Sequence, residues 1–177
     1  MKKVLFIILS IILLNPGCYC KKESDAPGLP AATQIGANTL GFYLNGEAWV
    51  PSKGFLGVPN LDWYYEPDYA GGGLSISASR LLSDEDREYF TLGSSHISST
   101  GTYPINNYSN AGIIFFSLMD SCEIYSDDSL TYCSGSLTIT KLDTANAVIS
   151  GTFWATMYSA SCKDTLRFTN GRFDLGN

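Results

Sequence analysis

Charge is scarce in this chain. Charged residues make up 16% of its 177 positions, against about a quarter in an ordinary soluble domain. Lys and Arg number 11 and Asp and Glu 17. With no cationic surplus to neutralise phosphates, the composition argues against nucleic acid as a partner. Histidine occurs once, at His96, so paired His ligands for zinc are missing. The Cys-x-x-Cys pattern of redox sites is missing too. No apolar run approaches the ~20 residues that a membrane-spanning helix needs. Glycine and aromatics are plentiful instead, with 17 Gly, 11 Tyr and 9 Phe. That balance disfavours a helical bundle and suits strands joined by tight turns.

The first residues read as an address. Lys2 and Lys3 precede the apolar run Val4–Leu14, broken only by Ser10. This is the layout and length of a signal peptide's core. Asn15-Pro16-Gly17-Cys18 follows, and a small residue directly before Cys resembles a bacterial lipobox. In lipobox proteins the peptide is cut before the Cys, which becomes acylated. The expectation is a signal peptide over 1–17 and lipidation of Cys18, with Cys20 as the rival. Several acyl chains on one residue anchor a protein stably to a membrane. Losing Lys2 and Lys3 leaves the remainder two charges more acidic. Residues 18–38 are poor in large apolar side chains, and Pro27-Gly28-Leu29-Pro30 forbids a helix. They are expected to be a flexible tether, with a domain over 39–177.

From Thr39 the hydrophobic period is two. Leu40, Phe42 and Leu44 alternate with smaller or polar neighbours, and Asn45-Gly46 marks a hairpin turn. Leu74-x-Ile76-x-Ala78, Tyr89–Ile97, Ile113–Met119, Leu137-x-Ile139, Val148–Met157 and Thr165–Thr169 read as further strands. A short helix is expected around Ser83–Glu88, where Ser-x-x-Asp resembles a capping box. The predicted fold is an all-β antiparallel sandwich or barrel of about eight strands. Gly151 and Asn170-Gly171 suit bulges or close strand approach.

Several motifs occur in a characteristic order. Leu29-Pro-Ala-Ala-Thr-Gln-x-Gly-Ala-Asn-Thr-Leu-Gly41 is followed by Leu44-Asn-Gly-Glu-Ala-Trp-Val-Pro51 and Thr100-Gly-Thr-Tyr-Pro104. Ser134-Gly-Ser-Leu-Thr-Ile-Thr-Lys-Leu-Asp143, Ile149-Ser-Gly-Thr-Phe153 and Thr169-Asn-Gly-Arg-Phe-Asp174 complete the series. Together they resemble a family of uncharacterised Bacteroidota lipoproteins over most of residues 29–174. The resemblance implies an outer-membrane lipoprotein of unknown biochemical role and carries over no catalytic residue. Members often have Cys where Phe42 stands, so a family-wide disulfide there is not implied for this chain.

Three constellations could carry chemistry. His96 lies among Ser94, Ser95, Ser98 and Ser99. In a continuous strand Ser95 and His96 point to opposite faces and cannot form a nucleophile–base pair. The acidic clusters Asp84-Glu85-Asp86-x-Glu88 and Asp127-Asp128 hold oxygen ligands but match no calcium loop, and no metal site is expected. The third constellation is aromatic: Leu61-Asp62-Trp63-Tyr64-Tyr65-Glu66-Pro67-Asp68-Tyr69, then three glycines. Read as a loop, it offers Trp63, Tyr64, Tyr65 and Glu66 as candidate ligand-binding residues. Rings stack on the C–H faces of sugars while carboxylates accept hydroxyl bonds. A glycan hydrolase using two of Asp62, Glu66 and Asp68 is the rival. No spacing fixes such a pair, so no catalytic residue and no cofactor are assigned.

Export implies an oxidising compartment. The domain holds Cys122, Cys133 and Cys162. A meander pairing Ile113–Met119 with Ser136–Asp143 predicts Cys122–Cys133, with Cys162 joining one of them as the alternative. The functional expectation is a non-enzymatic, lipid-anchored binding or structural module of the cell envelope. Its possible partners are a carbohydrate or another envelope protein.

Overall fold

The computed structural model describes residues 26–53, 60–83, 86–119 and 122–176. The signal peptide, Cys18, Cys20, the first part of the tether, Asp84 and Glu85 lie outside the described residues. Eleven strands follow in order: β1 Thr39–Leu44, β2 Glu47–Trp49, β3 Leu61–Glu66, β4 Gly73–Leu81, β5 Arg87–Ser94, β6 Gly101–Asn106, β7 Ala111–Ser117, β8 Cys122–Tyr125, β9 Thr131–Asp143, β10 Val148–Ser159 and β11 Asp164–Gly176. They form one sheet in the order β2-β1-β11-β10-β9-β6-β7-β5-β4-β3, with β8 paired to β7. All ladders are antiparallel except a single parallel contact, Ile105↔Ala111, between β6 and β7. The chain turns that corner so that the two arms of the sheet face each other. The fold is therefore all-β and sandwich-like, as expected, and the sheet is not closed.

An aromatic cluster joins the arms. Phe42 on β1 stacks on Trp49 of β2 at 4.7 Å and meets Phe90 of β5 at 4.6 Å. Phe168 of β11 meets Phe115 of β7 at 6.0 Å. Offset and edge contacts of this kind add to area burial. Trp49 is fully buried, so its indole N–H needs a partner, and it donates to Glu88 Oε2 at 2.7 Å. Arg80 closes the arrangement. Its guanidinium pairs with Glu88 at 2.7 Å, donates to the Ala48 carbonyl at 3.0 Å and lies over the Trp49 ring. Glu88, counted among possible calcium ligands, is thus turned inward and occupied.

The turn and bulge signals hold. Asn45 and Gly46 both have positive φ, 51° and 92°, as a two-residue hairpin turn requires. β11 is bulged beside Asn170, whose φ is 51°. Both neighbours register it, β10 between Phe153 and Ala155 and β1 between Gly41 and Tyr43. A Cβ on Gly171 would meet the Phe153 ring at 2.6 Å, so close approach demands glycine there. The ladder between β9 and β10 shifts at Ser150/Gly151.

Four expectations are corrected. No helix occurs among the described residues. Ser83 instead closes the β4–β5 turn, its hydroxyl accepting from Asp86 N at 3.1 Å. The aromatic segment is not a loop, because Leu61–Glu66 forms the terminal strand β3. The tether is not free over 26–38. Ala26 and Leu29 are buried, and the Asp174 carboxylate gathers the chain, accepting from Thr33 Oγ1 at 2.5 Å, Gly36 N at 2.9 Å and Ile35 N at 3.1 Å. Finally, the disulfide is Cys122–Cys162, with Cα atoms 6.0 Å apart, while Cys133 is free and buried. The expected pairing assumed β7 beside β9. In fact β6 lies between them, and Cys133 points into the core opposite Met157. Burial pushes the Cys133 thiol up to about 11, so it is inert.

Candidate functional site

β3 is an edge strand with a split character. Its exposure alternates, with Leu61, Trp63 and Tyr65 half-buried and Asp62, Tyr64 and Glu66 exposed. The first set leans on the core. Pairing of Trp63 with Ile76 and of Tyr65 with Leu74 on β4 sets this register. Along β3 runs a groove of about 260 Å³. Trp63, Tyr64, Tyr65 and Pro67 form one wall, and the β9–β10 hairpin from Leu142 to Ile149 supplies the other.

The groove's polar groups differ in availability. Tyr65 donates its hydroxyl to the Ile97 carbonyl at 2.6 Å. Burial, followed by the neighbouring Tyr103, raises its pKa above the ordinary phenol value, so it stays a neutral donor. The Trp63 indole N–H has no acceptor among the described residues and is free to donate. Asp143 accepts from Asn146 Nδ2 at 2.9 Å and Asn146 N at 3.1 Å. These bonds, side chain first, hold its carboxyl below the usual carboxylate range, against the opposing effect of burial and with a smaller contribution from Lys141.

The structure brings Trp63, Tyr64 and Tyr65 together on this groove. Glu66 does not line it, nor do Asp62 and Asp68. Sequence reasoning missed the far wall, because nothing in Leu142–Ile149 marks that hairpin as a neighbour of β3. His96 also departs from expectation. β5 ends at Ser94, and His96 has φ 65°, so the strand alternation stops before it. Ser95 Oγ lies 3.0 Å from His96 Nδ1 after all. The pair is at the surface, and no third group among the described residues orients the ring. Asp128 is spent on its own turn, accepting from Leu130 N at 2.9 Å. No cluster of three or more His, Cys, Asp or Glu side chains suited to a metal occurs among the described residues.

Fold and groove together define a sandwich-like β domain with an aromatic edge. Residues 66–174 match a family model described as a domain of unknown function, DUF6252. The match runs from the end of β3 to near the end of β11, and the chain belongs to that family. No curated protein and no solved structure matches the chain.

Proposed function

We propose that this chain is a non-catalytic binding module of the cell envelope, anchored through lipid on Cys18, which takes a saccharide in the groove beside Trp63. The observation that carries this reading is the groove itself. A half-buried indole with an unused N–H faces a hairpin wall and offers both a stacking surface and a donor. The Bacteroidota lipoprotein motifs and the lipobox-like Gly17-Cys18 support the envelope setting. The carboxylates support binding rather than hydrolysis. A glycosidase's general acid needs a raised pKa. Asp143, the groove's carboxylate, is shifted the other way, and Asp62 and Glu66 lie on the outer face of β3.

Two variants test the reading. In affinity electrophoresis through gels carrying soluble neutral polysaccharides, Trp63→Ala is expected to lose the retardation shown by the wild type. Trp63 is only half-buried, so the same change should cost about 1–2 kcal/mol of stability, below the 3–5 typical of a core Trp. A larger loss with unaltered retardation would reassign Trp63 to the core. Cys18→Ala should abolish lipid labelling and membrane fractionation. Labelling that survives it and disappears in Cys20→Ala would move the anchor.

A further inference from the structure

The outward face of β10 carries a half-exposed tryptophan. Trp154 is 50% exposed, Tyr158 on the same strand 44%, and Tyr132 on β9 63%. Strict alternation along β10 buries Phe153, Ala155 and Met157 and turns these neighbours outward. Tyr158 pairs directly across from Tyr132, and Trp154 across from Ser136. Cross-strand partners sit about 5 Å apart, and four residues along a strand span about 13 Å. Tyr132 and Tyr158 therefore stand side by side, and Trp154 lies about 13 Å further along the same face. Trp154 also lies where β11 bulges, a device that re-aims side chains.

Between the rings lie Ser134, Ser136 and Thr156, whose hydroxyls make no hydrogen bond among the described residues. The outward positions of β9 from Tyr132 to Thr140, and of β10 from Thr152 to Tyr158, carry no charged side chain, while on the neighbouring β11 the exposed Arg167 stands across from Thr156 and the half-exposed Arg172 across from Thr152, at the margin of this strip. We infer that this face is a binding platform for an extended, uncharged polysaccharide. Rings need apolar cover, while unpartnered hydroxyls cost free energy if an apolar surface seals them. A polysaccharide meets both demands, since its C–H faces cover the rings and its hydroxyls pair with Ser and Thr. A second copy of this chain would bring the same unpaired hydroxyls on a net −6 molecule. The platform does not rest on the groove beside Trp63, from which it is separately testable.

The test is co-sedimentation of the mature protein with microcrystalline cellulose, chitin, an insoluble β-1,3-glucan and raw starch. The wild type should be retained by at least one polymer. Trp154→Ala should lower the bound fraction at least tenfold while the protein stays folded with a cooperative melting transition, because the ring is half in solvent. Thr156→Glu, which keeps every ring and adds a charge between them, should abolish retention as well. Retention lost in Trp154→Ala but not in Trp63→Ala assigns the polymer to this face; the reverse pattern assigns it to the groove and overturns the inference, so failure of the groove and failure of the platform are distinguishable. Retention by none of the four polymers, wild-type retention by both Trp154→Ala and Thr156→Glu, or a dimer that Trp154→Ala dissolves would each overturn the inference.

Discussion

Asp174 is 1% exposed and accepts five hydrogen bonds, from Thr33, Ile35, Gly36, Ala37 and Ser150. Burial pushes its carboxyl up. The hydrogen bonds, led by Thr33 and the Gly36 and Ile35 amides, outweigh it and hold the pKa at about 2, from 3.8. A depressed folded value gives stability that is fully present above the unfolded pKa. That stability is lost as pH falls toward the folded one. Asp174 should therefore contribute on the order of 2 kcal/mol at neutral pH, disappearing between about pH 4 and pH 2. Asp174→Asn cannot satisfy the same donors and should cost about 2–4 kcal/mol at pH 7. It should also flatten the acid limb of the stability curve, measured by urea denaturation from pH 2 to 7. An unchanged acid limb would place the titration elsewhere. In the sequence, Thr33–Ala37 and Asp174 appear as two separate motifs. No local pattern says that one carboxylate, 141 residues from Thr33, joins them, which is why 26–38 read as a tether.

Among the elements, those with a clean alternation and a turn signal were legible. β1, β4, β5, β9, β10 and β11 follow from alternating patterns, β2 from the Asn45-Gly46 turn before it and β7 from its continuous apolar run. β3, β6 and β8 did not. Leu61-Asp62-Trp63-Tyr64-Tyr65-Glu66 does alternate, but its acids and the following Pro67 resemble a loop. β6 contains Pro104, which a strand tolerates where its missing N–H faces no ladder. Here β6 is laddered to β9 on one side and touches β7 only at Ile105. Missing β6 misplaced β7 against β9 and so misassigned the disulfide. The bond found, Cys122–Cys162, spans 40 residues and ties β8 to the β10–β11 turn. Chain entropy gives about 4 kcal/mol for a loop of that size. Cys162→Ser should lower stability by about 2–4 kcal/mol, and Cys133→Ala by less than a typical cavity cost of 2–3 kcal/mol. Non-reducing peptide mapping should link the Cys122 and Cys162 peptides and leave Cys133 alkylated. A Cys122–Cys133 link would contradict the topology itself.

At the scale of the molecule, the fold uses several of its few charges inside or as clamps. Arg80 and Glu88 are used inside, Asp174 clamps the N-terminal segment, and the broad face of β9 and β10 is hydroxyl and ring. The candidate site was half legible. Trp63, Tyr64 and Tyr65 stand together in the sequence, but the opposing hairpin arrives through long-range pairing that no local signal encodes. Trp154 was visible only as one aromatic in a strand, since its exposure depends on which face of β10 the core occupies. The central claim is binding without turnover. The measurement that tests it most directly is affinity electrophoresis paired with a reducing-end assay, on the same polysaccharide panel and protein sample. The account predicts retardation by at least one polymer, lost in Trp63→Ala, with no reducing ends above the buffer control. Reducing-end release by the wild type that Glu66→Gln abolishes would contradict it.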